Sequence, residues 1–254
     1  MEMNLNATLT VGYKSNSQKM RILSESWAAQ YAFCPNCGNN LEKHKAGLPV
    51  ADFFCQTCDT DFELKAFCSN LETNIVDGAY KTMLDRLASN RNPNLFLLQY
   101  SKPDLSIQNF LVVPKYFFTP NIIEKRKPLS PNARRAGWVG CNIQMAKIPS
   151  SGKVFFIKNR RMVPKQDVIQ AWLRTCFLSS INQEMRGWLL STMKCIEMIN
   201  NREFSLEDMY RFEKTLQESH PNNHHIREKI RQQLQVLRDK GYLVFLGDGK
   251  YRLC

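Results

Sequence analysis

Histidine is scarce in this 254-residue chain: there are four, and only His44 precedes residue 184. That scarcity excludes chemistry that needs an imidazole base beside a cysteine nucleophile or beside metal-bound cysteine pairs. Cysteine hydrolases, proteases and HNH-type nucleases fall away on this ground. No apolar run approaches the roughly 18 residues of a membrane span, so no membrane partner is expected. The first ten residues carry no basic segment followed by an apolar stretch. No secretion signal is read, and a cytoplasmic, bacterial setting is the expectation. Internal repeats and low-complexity segments are also missing.

Acidic residues nearly vanish from the middle of the chain. Lys115 to Arg174 holds 13 Lys and Arg against 2 Asp and Glu, so this stretch carries +11 of the total net charge of +12. Residues 1–114 hold 10 against 11, and residues 175–254 hold 12 against 10. A concentrated basic field attracts a polyanion, which points to nucleic acid. Its densest part, Lys125 to Trp138, joins Arg126, Lys127, Arg134 and Arg135 to Trp138. Arginine and lysine grip phosphates, arginine also reads guanine, and a tryptophan in such a loop can stack on a base.

Four of the nine cysteines form Cys34-Pro-Asn-Cys37 and Cys55-Gln-Thr-Cys58, a CxxC-x17-CxxC pattern. In a chain without a secretion signal this spacing predicts a closed, structural four-thiolate Zn2+ site, not disulfides. His44 is a competing ligand by type, but a lone histidine in a polar loop reads as exposed. Cys68, Cys141, Cys176, Cys195 and Cys254 read as dispersed small apolar residues.

Two carboxylates and a lysine bracket the second cysteine pair: Asp52, then ten residues, then Glu63-Leu64-Lys65. On a strand, Glu63 and Lys65 share a face. If residues 49–54 and 61–67 pair as a hairpin around Cys55–Cys58, Asp52 arrives beside Glu63. Asp52, Glu63 and the Leu64 carbonyl would then offer oxygen ligands to Mg2+. Such an ion stabilises charge on a phosphate and acidifies a water, while Lys65 orients or deprotonates that water.

Elements follow from periodicity and breakers. A helix is expected over residues 15–31, strands over 49–54 and 61–67, and an amphipathic helix over 74–88. A strand pair is expected at 95–100 and 107–113, an irregular region at 114–152, a strand at 154–157 and a short helix at 164–173. This makes a mixed-sheet α/β domain over residues 1–181. Residues 182–254 read as a winged helix-turn-helix: helices over 186–199, from Ser205 to about Glu218, and over 224–240, then a hairpin around Gly247-Asp248-Gly249. Ile226, Ile230, Leu234 and Leu237 would face the core of the last helix. His224, Arg227, Glu228, Arg231, Gln232 and Gln235 would form its DNA-reading face.

The Asp52, Glu63 and Lys65 spacing resembles the PD-(D/E)xK nuclease signature. With it stand CPNCGNN, VADF, FELK, NPNLFLLQY, NFLVVPK and KPLSPNARRAGWVGCNI, followed by a winged helix. Across nearly the whole chain this set resembles the DpnI-like methyl-directed restriction endonucleases. One departure is that Pro49 is not adjacent to Asp52. The resemblance implies a monomeric type II enzyme that cleaves double-stranded DNA carrying methylated adenine at GATC, and a winged helix that binds the same site. The rival reading is a non-catalytic zinc-knuckle and winged-helix regulator, in which Asp52, Glu63 and Lys65 are incidental.

Overall fold

A computed structural model describes residues 2–44, 51–89 and 92–254. The N-terminal part is built on a seven-stranded sheet in the order β1-β2-β3-β5-β6-β9-β10. These strands are β1 (Glu42–Lys43), β2 (Phe53–Cys55), β3 (Thr60–Phe67), β5 (Asn94–Tyr100), β6 (Ile107–Val113), β9 (Val154–Lys158) and β10 (Arg161–Met162). β3 and β5 run parallel and their neighbours pair antiparallel, so the sheet is mixed. Parallel neighbours need a crossover. Here it is β4 (Asn74–Ala79) followed by α2 (Tyr80–Ala88).

The uninterrupted apolar run of β5 is explained by burial on both faces. Leu95 and Leu97 pack on one face with Leu111 and Val113 of β6. Phe96 and Leu98 pack on the other with Phe62, Phe110, Val112 and Phe156. Ring centroids lie 4.6 Å apart for Phe62 and Phe96, 5.1 Å for Phe96 and Phe110, and 5.0 Å for Phe110 and Phe156. Each such ring stabilises the fold by about 1.5–3 kcal/mol through burial alone. α1 (Asn16–Tyr31) covers this aromatic face with Leu23, Trp27 and Ala28. Ser15 caps it by accepting from the Gln18 N–H. α3 (Lys165–Leu173) adds Val168 and Trp172.

The opposite face meets a second sheet, ordered β4-β8-β7, with β7 (Ile123–Lys125) and β8 (Gly140–Gln144). Ile75, Ile123 and Ile143 supply its buried side. Two sequence expectations fail here. Residues 74–88 are not one helix: the first six form β4, pairing antiparallel with β8, and only Tyr80 onward is helical. The four-residue apolar spacing of Ile75, Ala79, Met83 and Leu87 mimicked a helical stripe. The β-branched Ile75-Val76 pair instead suits a strand, and Gly78 falls at its bulge. Residues 114–152 are also not irregular throughout, since β7 and β8 lie within them. Pro49 and Val50, assigned to the start of a strand, lie outside the described residues.

The C-terminal part is a winged helix-turn-helix. α4 (Gln183–Ile199) starts at Asn182, whose side chain accepts from the Met185 N–H. β11 (Glu203–Ser205) leads into α5 (Leu206–Tyr210) through a reciprocal Ser205–Asp208 capping box. The expected helix from Ser205 to Glu218 is broken at Arg211-Phe212, and α6 (Glu213–Ser219) follows. α7 (Ile226–Asp239) buries Ile226, Ile230, Leu234 and Leu237, as its spacing predicts. β12 (Leu243–Gly247) and β13 (Lys250–Leu253) form the wing, with β11 completing the order β11-β13-β12. The wing turn holds Gly247, Asp248 and Gly249 all at positive φ, which glycine adopts at no steric cost. Trp188 and Leu189 of α4 share one apolar cluster with Phe117 and Ile122.

Candidate active site, zinc knuckle and nucleic-acid interface

Each CxxC segment closes a tight turn. Gly38 N–H donates to the Cys34 carbonyl at 2.7 Å, and Asp59 N–H to the Cys55 carbonyl at 2.9 Å. Both turns end at positive φ, +77° at Gly38 and +56° at Asp59. The thiols of Cys34, Cys37, Cys55 and Cys58 consequently converge, with all four Sγ atoms within 4.8 Å of one another. Cys34 and Cys58 Sγ are 3.5 Å apart, and Cys37 and Cys55 Sγ 3.4 Å. A tetrahedral ion with Zn–S near 2.3 Å needs sulfurs about 3.8 Å apart, so the cluster fits zinc after a small expansion. Burial pushes the Cys58 thiol up, yet hydrogen bonds with Asn36, Thr60 and Cys34 outweigh it and bring the pKa down to about 7. His44 stays outside the cluster and instead pairs with Asp61, Nε2 to Oδ1 at 2.9 Å.

The knuckle sits at the end of the β2–β3 hairpin. Phe53 pairs with Phe62, Phe54 with Asp61 and Cys55 with Thr60. Asp52 lies just before these paired residues, its N–H donating to the Phe62 carbonyl at 2.9 Å. Its carboxylate Oδ2 then accepts the Leu64 N–H at 2.7 Å. On β3, Phe62, Leu64 and Ala66 turn to the aromatic core. Glu63 and Lys65 share the opposite face, with Lys65 Nζ 3.0 Å from Glu63 Oε1. Asp52 thus meets the Leu64 backbone, and the residues on either side of Leu64, Glu63 and Lys65, pair with each other.

Their electrostatics are distinctive. Burial raises the Asp52 carboxyl above its ordinary value; the Leu64 N–H opposes this, Glu25 on α1 adds to it, and Arg21 and Lys65 oppose it. Burial pulls the Lys65 ammonium down, but Glu63 and Asp77 more than compensate and hold it above its usual value. Asp77 is the residue that sequence reasoning missed. Its Oδ1 lies 2.7 Å from Lys65 Nζ. It was hidden because residue 77 was assigned to the first turn of a helix. The β-branched pair before it and the Asp77-Gly78 break after it are the signals that would have placed it on a strand.

The basic–aromatic loop spans the gap between β7 and β8. Arg126 N–H donates to the Gly140 carbonyl, and Leu129 N–H to the Trp138 carbonyl, so its two ends run side by side. Lys127, Arg134 and Arg135 are exposed, while Arg126 and Trp138 are half-buried. Trp138 is partly sheltered within the loop. It lies so close over Gly140 that a Cβ there would meet the ring at 2.8 Å. The Arg135 guanidinium stacks on it at 4.8 Å from the centroid.

On the winged helix, His224, Arg227, Glu228, Arg231, Gln232 and Gln235 are all exposed. His224 precedes α7 instead of lying on it, because the helix begins at Ile226. Four of these side chains are engaged within the chain, Gln232 by accepting from Gln233 Nε2 at 3.5 Å. Arg227 pairs with Glu213 at 2.8 Å, and Arg231 reaches Tyr210 Oη at 2.7 Å and Glu228 at 3.2 Å. Among the described residues no helix is long and apolar enough to cross a membrane.

The model of the Dam-replacing family, DpnI, matches residues 1–181, and that of the Dam-replacing HTH domain matches residues 184–253. Nearly the whole chain is covered by the two. The chain belongs to the DpnI, or Dam-replacing, family.

Proposed function

We propose that this chain is a type II, methyl-dependent site-specific deoxyribonuclease that hydrolyses double-stranded DNA at adenine-methylated GATC. In this reading residues 1–181 form the nuclease domain, residues 182–254 bind DNA, and the enzyme acts as a monomer in the bacterial cytoplasm. The observation that carries the catalytic part is the cluster around Leu64: Asp52 Oδ2 on the Leu64 N–H at 2.7 Å and Lys65 Nζ on Glu63 Oε1 at 3.0 Å. Membership of the family supports restriction of DNA, and the resemblance of the sequence motifs supports the methylated target.

The donor set suits a hard cation. Asp52 and Glu63 offer carboxylate oxygens, and a strand residue's N–H and C=O face the same edge. The Leu64 carbonyl accordingly faces Asp52, and these three groups would hold Mg2+. When bound, such an ion supplies charge neutralisation at the phosphate and a more acidic water. Lys65 places a positive charge beside the same point, where it orients the attacking water and offsets charge developing on the phosphate. Partial burial of Asp52 excludes bulk water and strengthens both effects. Arg126, Lys127, Arg134 and Arg135 would hold the DNA backbone, with Trp138 against a base. Arg227, Arg231, Gln232 and Gln235, with His224 and Glu228, would meet the major groove.

Digestion of one plasmid grown with and without adenine methylation, in Mg2+, tests the whole reading. Cutting of the methylated plasmid alone, with ends sequenced to GATC, is expected. Intact methylated plasmid would leave a DNA-binding regulator.

A further inference from the structure

Lys65 is gripped from two sheets. Glu63 is its neighbour on β3, whereas Asp77 reaches it from β4 of the three-stranded sheet. Asp77 is the better-sheltered carboxylate: its side chain is 11% exposed against 28% for Glu63. The register of β4 and β8 shifts between Asp77 and Ala79, and such a bulge re-aims a side chain. Asp77 Oδ1 also accepts its neighbour's Gly78 N–H at 2.7 Å, which fixes the carboxylate before Lys65 arrives.

We propose that Asp77 is a positioning residue for the cleavage reaction, acting through Lys65; this rests on the nuclease reading above. A lysine side chain is long and rich in rotamers, so an ammonium that must meet one phosphate or one water needs an anchor. Glu63 is a poor sole anchor because its oxygens are also wanted as cation ligands. Asp77 has no such second duty in the cluster and holds Nζ at the shorter distance. Its location ties the lysine to DNA contact as well. Asp77 pairs with Cys141 of β8, and Cys141 pairs with Lys125 of β7. Tyr80 N–H, the first after the same strand, donates to the Val139 carbonyl beside Trp138. The sheet that presents the basic–aromatic loop therefore also holds the lysine.

The test compares Asp77→Ala, Asp77→Asn and Asp77→Glu in the full chain, using a methylated GATC duplex. Three quantities are read: the single-turnover cleavage rate in Mg2+ at saturating enzyme, the Kd without divalent ions, and the melting temperature. Asp77→Ala should lose roughly 10–100-fold in rate, the scale of a misplaced catalytic group, with Kd changed less than about two-fold. Asp77→Asn keeps an oxygen acceptor for both Lys65 and Gly78 and should recover most of the rate. A wild-type rate in Asp77→Ala overturns the proposal. So does a rate loss matched by falls in affinity and melting temperature that Asn fails to rescue. Should the alanine variant not fold, Asp77→Glu decides: slowed cleavage at wild-type stability supports the role, and an unchanged rate removes it. If the wild type itself does not cut, the nuclease reading fails first, and the two failures are distinct.

Discussion

The carboxylate of Asp52 hydrogen-bonds the backbone N–H of Leu64 at 2.7 Å, across the hairpin that the cysteine cluster closes. One residue of slip in that hairpin would turn Glu63 and Lys65 into the aromatic core, because side chains alternate along a strand. The turn that sets Cys55 opposite Thr60 thus fixes which face Glu63 and Lys65 occupy.

Asp52→Asn is expected to abolish cleavage, by at least about 10²–10³-fold, without lowering the melting temperature in metal-free buffer. The sign follows from the raised carboxyl of Asp52. A folded-state pKa above the unfolded one gives stability that is complete below the unfolded value and disappears as pH rises through the folded value. At neutral pH the ionised carboxylate is therefore a cost, and a neutral amide that still accepts the Leu64 N–H avoids it. Cleavage assays paired with melting curves check both halves; a variant that cuts normally takes Asp52 out of the mechanism.

Cys55→Ser should release zinc and lower stability by more than about 3 kcal/mol, since structural zinc contributes folding energy directly. Metal content and melting are measured on the same sample. Zinc content and stability equal to wild type would end the zinc assignment.

Arg134→Ala and Arg135→Ala are each expected to reduce the slope of log K against log salt by about 1 if they touch phosphates. Gly140→Ala should weaken binding by another route. Its new Cβ, 2.8 Å from the Trp138 ring, displaces the indole and leaves the charge intact. Affinity should fall while the salt slope stays at the wild-type value. A salt titration of all three separates charge from stacking.

His220 predicts an acid-sensitive winged helix. Its ring stacks on Trp188 at 3.7 Å, and burial, with Lys229 nearby, depresses its pKa. A base with a depressed folded-state pKa contributes stability that is present above its unfolded value of about 6.5 and is lost as pH falls through the folded one. Melting temperature should thus drop on acidification below about pH 6.5. His220→Gln should flatten that part of the profile; a slope identical to wild type would assign the sensitivity to other groups.

Sequence alone determined what short-range chemistry can carry. The CxxC pairs announced converging thiols because their spacing is a property of the turn itself. The Glu63-Leu64-Lys65 alternation fixed a shared face, and the 226–237 stripe fixed the buried side of α7. Ser15 and Ser205 marked two helix starts. Tertiary structure decided the rest. Residues 74–79 are a strand because β8 pairs with them and offers their N–H and C=O groups partners, and a partner 60-odd residues away leaves no local periodicity. That long-range pairing carried Asp77 to Lys65 and put Asp77 on the same three-stranded sheet as the strands that flank the basic loop.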